Sequence, residues 1–289
     1  MQNLNWLNKI EYPFTLHSFP ASGGNMNYID EGNGDTLVFV HGTPEWSFSF
    51  RNVIKILSKK FRCIAVDHLG FGLSDKNQVA DYSVKAHAER LEFFISSLHL
   101  KNIVLIGGDF GGAMALHYAI KHPENVRSIA LWNTWMWNIM HDKHFSGPAK
   151  LINTWLGEFM YKKLNAPVNM IMPQAYGDKR KLTKEIHKHY KMPLNNSASR
   201  IATYTIARQL KDAGSWWDKQ WGDLKRIEHL PFLFLWGMKD KFLPTYLLEK
   251  WKQRLSKAKV IEIKKAGHFV HEEEPEIFAQ EIRKFIGVN

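Results

Sequence analysis

The chain has 289 residues, 45% of them hydrophobic and 23% charged, with a formal net charge of +11 and one cysteine. These are ordinary proportions for a soluble globular protein, and the length carries one sizeable core with room for an insertion. An internal disulfide is excluded because Cys63 has no partner, and no apolar run approaches the roughly 18 residues a membrane helix needs, so no membrane partner is expected.

The first residues, MQNLNWLNKIEYPF, lack the basic-then-apolar order of a signal peptide, which predicts a cytoplasmic protein. The basic residues are spread along many segments and interleaved with glutamates, so the positive charge reads as a general solubility field. With no basic arm, zinc spacing or low-complexity tract, no nucleic-acid partner is expected. Cys63, inside the apolar run CIAV, reads as a buried small hydrophobe.

Short β-rich runs alternate with helical ones along the chain. EGNGDT (31–36) predicts a hairpin turn, so that the sheet begins antiparallel before turning parallel. TLVFV (36–40), CIAV (63–66), IVLIG (103–107), SIALW (128–132), FLFLW (232–236) and VIEI (260–263) read as strands. Their nearly continuous apolarity suits a parallel sheet covered on both faces. Between them, VKAHAERLEFFISSL places Leu91, Phe94, Ile95 and Leu98 on one helical face. Pro275 stands in the first turn of the last helix, with acids around it that complement the helix dipole. The fold class is α/β, a doubly wound, mostly parallel sheet.

The alternation breaks between about Asn133 and Asp223, where helical runs and many tryptophans and tyrosines replace strands. The spacing predicts a helical cap over 134–223, inserted into a core formed by 1–133 and 224–289. Such a cap would roof a site at the carboxyl ends of the strands.

Four segments fall at those strand ends: HGTPEW (41–46), GGDFGG (107–112), WGMKDKF (236–242) and AGHFVHEEEP (266–275). The second has the pattern G-x-Nu-x-G of a nucleophile elbow, with Asp109 at the centre, and it lacks the G-x-G-x-x-G spacing of a dinucleotide site. Asp240 and His268 follow in the order nucleophile, acid, histidine. Alone, each has a bland alternative: Asp109 and Asp240 as helix caps, His268 as a core histidine. Order and strand context together favour a catalytic set, Asp109, Asp240 and His268.

Across nearly the whole chain these segments, with FRCIAVDHLGFGLSDK and GGDFGGAMALHYAIKHPENVRSIALWNTW, resemble the haloalkane dehalogenase branch of the α/β-hydrolase superfamily, close to epoxide hydrolases. Asp240 matches the subfamilies that place the acid after the later strand; the earlier position, in ALWNTW, holds no carboxylate. By this resemblance the backbone N–H groups of Thr43 and Phe110 form the oxyanion hole.

The carboxylate narrows the chemistry. Attack by Asp109 on an ester carbonyl is unproductive, because the adduct collapses by expelling the carboxylate. Attack on a saturated carbon gives a stable alkyl ester, and water activated by His268 then cleaves it, with Asp240 orienting the histidine. An aspartate needs no deprotonation at pH 7, which leaves His268 free for that second step. The expected substrate is a small apolar electrophile, reacting with water and needing no cofactor and no metal. It is a haloalkane first, an epoxide or a β-lactone as alternatives. A non-catalytic ligand-binding protein on the same fold is the reading from another class, and the intact set speaks against it.

Haloalkane dehalogenases typically hold the departing halide with a tryptophan directly after the nucleophile and an asparagine in the HG-N-P loop or a cap tryptophan. Here those two core positions are Phe110 and Thr43. Trp135 and Trp137, entering the cap from a strand end, are candidate replacements. An epoxide hydrolase needs cap tyrosines as acids, for which Tyr161, Tyr176, Tyr190 and Tyr204 are candidates by location. Trp46 reads as structural.

Overall fold

The computed structural model describes residues 4–287. Its sheet consists of β1 (His17–Ala21), β2 (Gly24–Glu31), β3 (Thr36–Val40), β4 (Arg62–Val66), β5 (Ile103–Gly108), β6 (Val126–Trp132), β7 (Phe232–Gly237) and β8 (Lys259–Ile263). The strand order is β1-β2-β4-β3-β5-β6-β7-β8. The β1–β2 and β2–β4 pairs are antiparallel and all others parallel.

One expectation needs correction. EGNGDT does not close a hairpin, because β4 lies between β2 and β3. The hairpin joins β1 to β2, where Ala21 pairs with Gly24. β3 is claimed on both edges by parallel partners, so its predecessor is displaced outward.

The strands alternate their side chains between two apolar layers, as the pleat requires. Val38, Val40, Leu105, Ile129 and Phe234 face one layer; Leu37, Phe39, Val104, Ala130 and Leu235 face the other. Helices cover both faces. The first layer packs against α2 (Val84–Ser97), α3 (Asp109–Lys121) and α10 (Thr245–Arg254), and the second against α1 (Arg51–Leu57), α11 (Val270–Glu273) and α12 (Pro275–Phe285). In α2, Ser83 caps the N-terminus by accepting the Ala86 N–H at 3.2 Å, and Leu91, Phe94 and Ile95 are buried.

Between β6 and β7 the chain forms α4 (Lys143–Ile152), α5 (Trp155–Lys162), α6 (Met172–Ala175), α7 (Lys184–Lys191), α8 (Ile201–Asp212) and α9 (Gly214–Asp223), with no strand among them. This helical insertion lies over the carboxyl ends of the parallel strands, where it meets the loops that follow β3, β5, β7 and β8. Among the described residues no helix is long and apolar enough to cross a membrane.

Candidate active site

Asp109 opens α3 directly after β5. Its φ is +50°, a left-handed value that a non-glycine residue holds only where the surroundings impose it. Close packing imposes it here. A Cβ on Gly111 would lie 2.3 Å from the Val40 carbonyl oxygen, and one on Gly42 would lie 2.4 Å from Asp109 Cβ. Glycine at both places lets the β3 end and its loop press against the turn, and the Asp109 side chain lines the cavity above it.

Asp109 Oδ1 accepts the Thr43 N–H at 3.0 Å, and Oδ2 lies 3.5 Å from His268 Nε2. On the far side of the ring, His268 Nδ1 donates to Asp240 Oδ2 at 2.7 Å; a carboxylate can only accept, which puts the proton on Nδ1. Asp240 is held on both oxygens. Oδ1 accepts the N–H groups of Phe242 and Leu243 at 2.8 and 3.0 Å, and Oδ2 also accepts Asn133 Nδ2 at 2.9 Å. The Phe110 N–H stands in the first turn of α3, where donors have no acceptor within the helix.

Burial lowers the His268 pKa, but the adjacent Asp240 and Asp109 more than offset this and hold it well above the ordinary histidine value. In the resting site the imidazole is therefore charged, flanked by two carboxylates.

The cavity above Asp109 has a volume of about 350 Å³. Thr43, Asp109, Phe110 and His268 form its foot, and the insertion supplies Trp135, Phe145, Tyr161 and Met172 among its walls. Trp135 Nε1 and Thr43 Oγ1 are buried without a hydrogen-bond partner. The Phe110 ring meets Trp135 edge-on, with centroids 5.0 Å apart. Tyr161 is buried in the wall, and burial, then the charge of Asp109, raises its pKa, so at neutral pH it is a phenol that can donate. At the mouth, His144 Nε2 lies 3.1 Å from the Phe242 carbonyl oxygen and bridges insertion to core. Among the described residues no cluster of His, Cys, Asp or Glu has the makings of a metal site.

The alpha/beta hydrolase fold family matches residues 35–275. The chain belongs to this family. This α/β hydrolase is 30% identical over 285 residues to a cis-3-alkyl-4-alkyloxetan-2-one decarboxylase of Shewanella oneidensis, covering 95% of this chain and 89% of the relative. It is 29% identical to haloalkane dehalogenase 2 of Mycobacterium tuberculosis, covering 96% of each chain. A haloalkane dehalogenase structure from Bradyrhizobium elkanii superimposes with a TM-score of 0.86 at 24% identity, covering 94% of this chain and 97% of that one, which is a likeness of fold.

The hydrolase fold brings Asp109, Asp240, His268, Thr43, Phe110 and Trp135 together, but not every sequence candidate. Trp137 stays outside the cavity: its ring packs on Trp221 and Trp251 at 5.0 and 5.4 Å, with the Lys250 ammonium 4.3 Å from it. Tyr190 is also elsewhere, its hydroxyl donating to Glu272 Oε1 at 2.9 Å. Tyr176 and Tyr204 are buried but do not line the cavity, which leaves Tyr161 of the four tyrosines. Trp46 Nε1 donates to the His189 carbonyl at 3.1 Å, a packing role. Asn133 went unseen in the sequence. Its signal is its place just past β6 in ALWNTW, a strand-end position beside the acid that an amide can fill as well as a carboxylate.

Proposed function

We propose that this chain is a hydrolase that joins Asp109 to a saturated carbon of a small apolar substrate, an alkyl halide first of all, and frees the product with water. The observation that carries this reading is one carboxylate held between the Thr43 N–H and the His268 imidazole at the foot of a mostly apolar cavity. Kinship with haloalkane dehalogenases supports it. Residues 134–223 act as the cap over a core of 1–133 and 224–289.

In the first half, Asp109 Oδ2 attacks the carbon in line, the carbon–halogen bond breaks, and the halide leaves with its electron pair. Trp135 and Thr43 line the cavity and carry donors, Nε1–H and Oγ1–H, that no protein group occupies, and we assign the halide to them. In the second half, water attacks Asp109 Cγ and His268 Nε2 takes its proton. The oxyanion forms on Oδ1 against the N–H groups of Thr43 and Phe110. The adduct then collapses, the departing alkoxide takes the proton from His268, and the new Asp109 carboxyl passes its own proton to the imidazole, which restores the resting carboxylate and imidazolium. Esterification removes one of the two charges that raise the His268 pKa, which shifts the imidazole toward the neutral form the second half uses, its proton passing to water.

A second reading has an oxygen leaving group, in an epoxide or a four-membered lactone. Tyr161, a buried phenol in the cavity wall, favours it, since a ring oxygen takes a hydrogen bond or a proton as it opens. The oxetanone-acting relative at 30% identity is a further support.

The test is His268→Gln, which leaves the first half intact and removes the base. With a primary bromoalkane, a terminal epoxide and a β-lactone offered in parallel, the expected result is a stable mass increase on the Asp109 peptide. An unmodified peptide with all three would sink the mechanism. Assays of the wild type for halide, diol and hydroxy-acid release then decide the leaving group.

A further inference from the structure

Behind the oxyanion loop, Glu45 and His271 form a buried pair that the reaction above does not use. Both side chains are fully buried, and Glu45 Oε1 lies 2.8 Å from His271 Nε2. Burial pushes the Glu45 carboxyl up, but the neighbouring His271 outweighs it and holds it below the ordinary carboxylate range. Two buried groups of this kind cost free energy to desolvate, and leaving either one unpaired costs more. Their place in the fold gives them a use. Glu45 belongs to the loop after β3, and His271 stands in α11, three residues after His268, so their close approach links the loop that donates to Asp109 to the helix that follows the His268 loop.

The peptide between Gly42 and Thr43 is the part so held. Glu45 Oε2 accepts the Gly42 N–H at 3.2 Å. The Gly42 carbonyl oxygen lies 2.7 Å from His41 Nδ1, which carries its proton because His41 Nε2 accepts the His68 N–H at 2.9 Å. The Thr43 N–H, from the same peptide as that carbonyl, points at Asp109 Oδ1. The carbonyl end of this peptide is gripped by an imidazole and the amide before it by a carboxylate, so the Thr43 donor is aimed before any reaction begins.

Taking the aspartyl-ester reaction as given, we propose that the Glu45–His271 pair is a positioning device that aims the Thr43 N–H for the ester-cleaving half. The two halves respond to that donor with opposite sign. During attack on carbon, Asp109 loses negative charge, so a donor on Oδ1 stabilises the starting carboxylate more than the transition state. During ester cleavage negative charge grows on Oδ1, and the same donor stabilises the transition state. A loosened donor therefore slows cleavage and leaves alkylation unchanged or faster. General loosening of the site would slow both.

The experiment compares wild type, Glu45→Leu, Glu45→Gln and the double variant Glu45→Gln/His271→Gln in single turnovers with a primary bromoalkane, following the Asp109 adduct by mass spectrometry. Glu45→Leu removes the acceptor for Gly42 and is expected to slow adduct breakdown about tenfold or more, without slowing formation. The double variant, whose amides can bond each other and Gly42, is expected to return breakdown to within a few-fold of wild type. Equal slowing of both halves, or no slowing, overturns the proposal. If His268→Gln forms no adduct, it is the ester reading that fails. The positioning role is then decided without turnover, by hydrogen exchange of the Thr43 amide in whichever of Glu45→Leu and Glu45→Gln folds. Lost protection at Thr43 beside unchanged protection in β5 supports it, and retained protection overturns it.

Discussion

Asn133 and His268 share one oxygen: Asn133 Nδ2 donates to Asp240 Oδ2 at 2.9 Å, and His268 Nδ1 donates to the same atom at 2.7 Å. Asn133 Oδ1 also accepts the Gly237 N–H at 2.8 Å, which pins the end of β6 to the end of β7. The amide, just past β6, and the acid, in the loop after β7, thus meet at one oxygen beside the His268 ring. Asp240→Asn should cut turnover by about a thousandfold, since the imidazolium loses its oriented partner. Adding Asn133→Asp should restore part of it by moving the carboxylate one strand across. Steady-state kcat of the single and double variants checks this; a double variant no faster than Asp240→Asn would contradict it.

The raised His268 pKa fixes the sign of a pH effect on stability. An ordinary histidine titrates near 6.5, and in the fold the value lies above that. The attraction to Asp240 and Asp109 therefore stabilises the fold in full below about pH 6.5 and fades as pH rises through the folded-state value. The melting-temperature gap between wild type and His268→Gln should be widest near pH 6 and narrow toward alkaline pH. Calorimetry across that range measures it, and a gap that widens with pH would refute the charged resting imidazole.

Trp135 offers its unpartnered Nε1–H beside Phe110, which has no donor of its own. A hydrogen bond to a departing ion contributes about 1.5–3 kcal/mol, so Trp135→Phe should slow adduct formation from a bromoalkane roughly ten- to hundredfold. Phe110→Trp should act in the opposite direction. Rapid-quench measurement of halide release compares all three proteins.

Tyr161→Phe separates the leaving groups. The phenol is a donor in the cavity wall, and its loss should slow opening of an epoxide or lactone by at least tenfold while bromoalkane turnover changes by less than a few-fold. Parallel kcat/KM values with the two substrate types decide it. Equal losses would assign Tyr161 to shaping the cavity.

The inner parallel strands were legible in the sequence because they are buried on both faces and read as apolar runs, as in Phe232–Gly237. The first hairpin was not. Its strands carry mixed residues such as His17, Asn25 and Asn27, and the turn-like EGNGDT leads instead into a crossover past β4. Within the site, residues fixed by strand-end position could be read in order. Trp137 and Tyr190 could not be placed, because the direction of a side chain in the insertion, on the loop before α4 for one and on α7 for the other, depends on partners far away in sequence, such as Lys250 and Glu272. The role of Asn133 was hidden for a similar reason: an amide becomes part of an acid's surroundings only once the neighbouring strand is known.

The bridge from His268 back to the insertion sets a rule for transplants. The His268 N–H donates to the Ala175 carbonyl at 2.8 Å, and a Cβ on Gly267 would lie 2.1 Å from that same oxygen. The seam at Ala175–Gly177 is thus a hinge-pin for His268, whereas α4 and α8 line the chamber with mostly apolar side chains and Tyr161 comes from α5. A chimera that borrows α4 and α8 from a related enzyme should inherit its donor's appetite for chain length and branching while keeping its own chemistry, provided the seam stays native.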